Sequence, residues 1–126
     1  MTSEELADTD LELPRINYRR HNGRPYRYIY GGAVTDRFLG SIAKVDIERG
    51  EHSSWEEDGC FAGEPVFVPE PGAQGEDAGV LLSVVLDSRA ETSFLLVLDA
   101  ATLEERARAE VPHRIPLSFH GQFFGV

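Results

Sequence analysis

Two apolar runs leave the chain little choice of architecture: Val80-Leu81-Leu82-Ser83-Val84-Val85-Leu86-Asp87, and Ser93-Phe94-Leu95-Leu96-Val97-Leu98-Asp99. Ser88 to Glu91 turns the chain between them, so they are expected to pair as neighbouring strands. Near-continuous apolar character is what a strand buried on both faces carries. Ala100 to Val111 follows, and its Ala, Leu, Glu and Arg content favours helix by propensity. Arg106, Arg108 and Glu110 alternate with Ala107, Ala109 and Val111, however, and that period of two selects a strand, with 99–103 as the turn. Before the apolar pair, Glu64-Pro65-Val66-Phe67-Val68-Pro69 reads as a short strand fenced by prolines, and 71–79 as an acidic turn-rich loop.

The first half carries weaker versions of the same pattern. Residues 1–11 are acidic with little to bury and are expected to be a flexible end, with the folded unit running over 12–126. Pro14 places 12–18 on a sheet edge or in a connection, because proline cannot donate to a ladder. After the Asn22-Gly23 turn, Tyr26, Tyr28 and Tyr30 recur at a period of two and predict a strand that Gly31-Gly32 ends. A second strand is expected over 38–46, with a bulge or close contact possible at Gly40, and a third over 52–55. The chain is thus expected to be all-β, two successive antiparallel meanders of three or four strands. Repeated four-stranded meanders are the sequence form of propeller blades. Two blades cannot close a ring, so a larger ring or a partner is expected to cover their outer faces.

Charge and cysteine content narrow the function classes. Twenty-two acidic residues against 12 basic ones give a net charge of −10, which argues against nucleic acid or anionic lipid as a main partner. Lys44 is the one lysine among those basic residues, a balance shared by high-salt cytoplasms and GC-rich coding. No run of eighteen apolar residues and no hydrophobic leader core are visible. Cys60 has no partner in the chain; a free, unreactive thiol fits a reducing, cytoplasmic setting. No nucleophile elbow, phosphate loop or CxxC pair is present. His120 stands out, between Phe119 and Gly121 after the Pro-bounded segment Ile115-Pro116-Leu117. Gly121 could turn the imidazole inward, and neutral imidazole is the commonest metal ligand. The alternative is an ordinary histidine near a frayed end.

Four segments, in order, resemble the C-terminal part of the carotenoid cleavage oxygenases. They are Glu12-Leu13-Pro14-Arg15-Ile16-Asn17, then Gly23-Arg24-Pro25-Tyr26-Arg27-Tyr28, then Glu64-Pro65-Val66-Phe67-Val68-Pro69 with Pro71-Gly72-Ala73 and Glu76-Asp77. The last is Ala107-Arg108-Ala109-Glu110-Val111, leading to Ile115-Pro116 and Phe119-His120-Gly121. The resemblance implies two blades of a seven-bladed β-propeller with Fe(II) on its axis, held by four histidines from different blades. It implies that His120 is the last of these ligands, and that Glu12 and Glu64 accept hydrogen bonds from ligand imidazoles. Such a carboxylate fixes the tautomer of the ligand and raises its basicity.

The implied reaction is O2-dependent cleavage of an alkene in a carotenoid, apocarotenoid or stilbene-like substrate. Family members are several times longer, and their other three ligands lie upstream of the matched region. His21, His52 and His113 fall on no ligand position and are expected to be solvated, while Glu70 and Ala78 depart from the family's usual loop residues. This chain alone is therefore expected to be inactive, requiring the upstream blades. Read without the resemblance, Glu12 and Glu64 are surface acids, and the alternative function is a metal-free β-rich interaction module.

Overall fold

The computed structural model describes residues 4–34 and 40–125. The first sheet is antiparallel in chain order: β1 (Leu11–Arg15), β2 (Tyr28–Ala33), β3 (Ser41–Asp46) and β4 (Glu51–Glu56). One helical turn, α1 (Tyr18–His21), lies between β1 and β2. The second sheet holds β5 (Cys60–Ala62), β6 (Val66–Pro69), β7 (Gly79–Asp87), β8 (Thr92–Asp99) and β9 (Glu105–Val111), in the order β5-β7-β8-β9. β5 and β6 pair with the two ends of the same edge of β7, so they are two halves of one interrupted edge strand. Each sheet is therefore a four-stranded antiparallel meander, the all-β blade architecture expected.

The sheets meet face to face. Tyr30 and Ile42 from the first sheet join Leu81, Val85, Phe94, Leu96 and Leu98 from the second in one core. Tyr30 is fully buried, stacks on Phe67 with ring centroids 5.6 Å apart, and donates its hydroxyl to the Ala100 carbonyl at 3.1 Å. Each large apolar side chain so buried contributes about 1.5–3 kcal/mol. Exposed ion pairs such as Arg89–Asp58 contribute about 0–1 kcal/mol, so the shared face holds the sheets together.

The β7–β8 pair is buried more on one face than the other, which corrects the expectation of burial on both. Cross-strand pairing puts Leu81 opposite Leu98, Ser83 opposite Leu96 and Val85 opposite Phe94, and these residues face the core. Leu82, Val84, Leu95 and Val97 alternate with them on the other face, where Val84 is 38% exposed. The residues after β9 partly roof that face: Ile115, Pro116 and Leu117 line a hollow with Leu82, Val84 and Leu95. Ile115 N–H donates to Ser93 Oγ at 2.9 Å and ties this tail down.

Other expectations shift by a few residues. Gly31 and Gly32 lie inside β2, opposite Ala43 and Ile42, instead of ending it. Tyr26 precedes the strand and is exposed, so only Tyr28 and Tyr30 share its alternation. β3 pairs without a register shift from Ser41 onward and Gly40 stands just before it, while Phe38 and Leu39 lie outside the described residues. Residues 105–111 are a strand, as the period of two required. Cys60 is buried in β5, and burial, with Glu57 and Asp87 nearby, pushes its thiol up to about 11. Among the described residues no helix is long and apolar enough to cross a membrane.

A candidate metal-ligand corner at the sheet edge

Two β-bulges, one in each sheet, converge on the same spot. In β1, Glu12 pairs with Gly32 and Arg15 with Tyr30, so Leu13 and Pro14 together face only Gly31. Leu13 takes a left-handed φ of 53°, which makes the extra residue fit. A Cβ on Gly31 would lie 2.9 Å from the Glu12 carbonyl oxygen, so the bulge requires glycine beneath it. In the second sheet, Ala62 pairs with Val85 and Val66 with Leu82, leaving Gly63, Glu64 and Pro65 opposite Ser83 and Val84. Gly63 still donates to the Val84 carbonyl at 2.9 Å, and Ser83 Oγ donates to the Gly63 carbonyl at 2.9 Å. Glu64 is thereby turned out of the ladder, which is what a bulge does to a side chain beside a site.

Glu64 and Arg15 meet there as a two-pronged pair. Arg15 Nε donates to Glu64 Oε1 at 2.8 Å and Nη2 to Oε2 at 3.0 Å. The Glu64 side chain is 5% exposed, and a buried carboxylate is tolerated only when so paired. Burial raises its pKa, but the Arg15 guanidinium, the Gly121 N–H and His120 outweigh that and hold it below the ordinary value. The Glu64 hydrogen bond raises the pKa of Arg15 in turn.

His120 comes to this pair from the tail. Gly121 N–H donates to Glu64 Oε2 at 2.9 Å, and Arg15 Nη2 donates to the Gly121 carbonyl at 2.6 Å. His120 Nδ1 stands 3.5 Å from Glu64 Oε1, and its ring is 76% exposed. The left-handed residue is His120 itself, at φ 62°, and not Gly121 as the sequence suggested. The N–H and the carbonyl of Gly121 are both occupied, and the backbone reverses one residue earlier. Glu12 lines the same depression with Leu13, Arg15, Glu64 and His120; it is exposed, and its carboxylate meets no partner among the described residues.

The three residues singled out from the sequence, His120, Glu12 and Glu64, are thus brought to one place. Arg15 was not singled out, although its position three residues after Glu12, beyond a proline, was visible. The other histidines lie elsewhere. His21 Nδ1 is 2.8 Å from the Pro25 carbonyl in the loop after α1, His52 is exposed on β4, and the His113 carbonyl accepts from Ser93 N–H.

Among the described residues no three His, Cys, Asp or Glu side chains cluster closely enough to hold a metal ion. The donors present fit one corner of an imidazole-ligated centre and no more. Nδ1 of His120 faces a carboxylate, which leaves Nε2 on the exposed side as the nitrogen able to coordinate.

The family described as "Retinal pigment epithelial membrane protein" matches residues 1–125. A mitochondrial carotenoid-cleaving dioxygenase from Mustela putorius furo is 48% identical over 117 residues, covering 92% of this chain and 22% of that protein. The chain thus spans about a fifth of the length of that relative. A mutant of the Synechocystis apocarotenoid oxygenase (ACO) superposes with a TM-score of 0.88 at 34% identity, over 96% of this chain and 26% of that one. A cobalt-substituted form of the same enzyme gives a TM-score of 0.84 at 35% identity, over 91% and 25%.

Proposed function

The chain belongs to the retinal pigment epithelial membrane protein family, the carotenoid cleavage oxygenases, and we propose that it supplies two blades and one histidine corner of a non-haem Fe(II) dioxygenase. The parent reaction is cleavage of a carbon–carbon double bond of a carotenoid, apocarotenoid or stilbene-like substrate with O2. The observation that carries this reading is the meeting of His120 with Glu64 and Glu12 at two converging bulges. The cobalt-substituted relative supports a metal centre in such a ring.

When bound, Fe(II) held by imidazoles alone supplies open positions for O2 beside the alkene. The work of this chain's residues is positional. Glu64 holds the proton of His120 on Nδ1, so the Nε2 lone pair faces outward as the donor. Arg15 neutralises Glu64, so the carboxylate can sit buried and still face the ring. The carboxylate of Glu12, without a partner among the described residues, is the acceptor for the ring N–H of a second imidazole carried by the upstream blades. The remaining three ligands come from the upstream blades, which also cover the apolar outer face of β7 and β8. A reducing, cytoplasmic location suits the free Cys60 and oxidisable Fe(II).

The test is turnover of a carotenoid with added Fe(II). This chain alone is expected to give none, because one imidazole cannot hold the ion against water. In a protein carrying the remaining blades, His120→Ala is expected to abolish turnover. Robust cleavage by this chain alone contradicts the reading. A second function, a metal-free interaction module, is favoured by one observation: the outer face with Val84 exposed is apolar enough to bind a partner. Full activity of His120→Ala in the complete ring would support it.

A further inference from the structure

Arg15 does more than neutralise a buried acid. Its fork takes both oxygens of Glu64, and Nη2 also reaches the Gly121 carbonyl, while Glu64 Oε2 takes the Gly121 N–H. The two peptide bonds that flank Gly121 are therefore each held by one member of the ion pair, with Arg15 Nη1 adding a contact to Gln122 Oε1 at 3.4 Å. Among the described residues nothing comparable holds the ring itself, which is 76% exposed and faces the pair through Nδ1. His120 also sits in the left-handed region, where a residue with a Cβ costs about 1 kcal/mol or more and stays only if its surroundings hold it.

We propose that Arg15 is the positioning residue of the His120 corner, clamping the backbone on both sides of Gly121 together with Glu64 so that His120 is held left-handed with Nδ1 toward the carboxylate. This deepens the metal-ligand reading and rests on it for its functional meaning, but the clamp is a property of this chain without metal. Lysine cannot replace the fork, because it is a point charge with no planar pair of donors.

Arg15→Lys keeps a charge beside Glu64 while removing the fork. Three measurements on the metal-free chain report on it: amide exchange at Gly121, the intraresidue HN–Hα NOE of His120, which is strong only at positive φ, and the 15N shifts of its imidazole at a pH where imidazole is neutral. Arg15→Lys is expected to speed Gly121 exchange by roughly tenfold or more, since the Glu64 carboxylate that accepts from this N–H loses the fork that fixes it. It should also weaken the His120 intraresidue NOE to that of a coil and move the ring to the tautomer mixture of a free histidine, with the Leu96 amide in β8 unchanged. Unchanged Gly121 exchange and His120 signals in a folded Arg15→Lys overturn the proposal, as does equal acceleration at Leu96, which marks a general loss of stability. Should Arg15→Lys not fold, Glu64→Gln must give the same local pattern, and its failure to do so overturns the proposal equally. Metal content of His120→Ala in the complete ring tests the ligand reading separately. A clamp that is present while that variant keeps its metal leaves the clamp standing and removes its catalytic meaning.

Discussion

Lys44 and Arg15 each carry a positive charge from the first sheet onto a carboxylate of the second, yet their surroundings differ. Lys44 is buried, with Nζ 2.7 Å from Asp77, 2.9 Å from the Ala101 carbonyl and 4.1 Å from the centre of the Tyr28 ring. Every interaction it needs is supplied within the described residues. Arg15 and Glu64 are equally well paired, but the His120 ring they face and the Glu12 carboxylate beside them are exposed. The first pair closes on itself and serves the fold. The second stops at the molecular edge, pointing at chemistry these residues do not contain. A polar cluster that ends in exposed titratable groups marks a site better than a cluster that closes on itself.

That contrast can be broken by substitution, and the largest effect belongs to the closed pair. Asp77→Ala strands the Lys44 ammonium in a buried position and is expected to cost about 3 kcal/mol in urea unfolding. Arg15→Met leaves Glu64 with Gly121 and His120 as its remaining partners and is expected to cost about 2 kcal/mol. Acid attacks the same pair from the carboxylate side. The Glu64 pKa is depressed in the fold, so its contribution is whole above the ordinary value of 4.5 and is lost as pH falls below that toward the folded value. Glu64→Gln should flatten this part of the acid limb of a stability–pH curve. Smallest of all, His120→Ala is expected to change stability by less than about 0.5 kcal/mol, because the ring is exposed. A loss of several kcal/mol there would make His120 a structural residue and erase the distinction between the two regions.

The fold was largely legible because its strongest strands carry their own signal. The runs over 80–87 and 93–99, and the alternation at Arg106, Arg108 and Glu110, name strands whatever surrounds them. What was hidden depends on partners distant in sequence. Gly31-Gly32 looks like a break because the reason for glycine there, the bulge of β1 passing above it, lies some twenty residues upstream. β5 is only Cys60–Ala62 and means little until paired with 85–87. The four-residue α1 has no side-chain cap and no buried residue to announce it.

In the site, the resemblance singled out Glu12, Glu64 and His120, and the structure brings them to one depression. Arg15 escaped because a basic residue beside a proline is unremarkable until its carboxylate, 49 positions away, is seen. The left-handed residue was misplaced by one because glycine is the usual occupant of that conformation. Here the clamp on Gly121 outweighs the local preference and moves the strain onto His120.

The most direct test is the iron content of a protein that joins this chain to the remaining blades, compared with its His120→Ala variant. One equivalent in the parent and a near-complete loss in the variant, with the fold intact, is the expected result. Stoichiometric iron retained after His120→Ala would contradict it, and the corner would then be a feature of the scaffold alone.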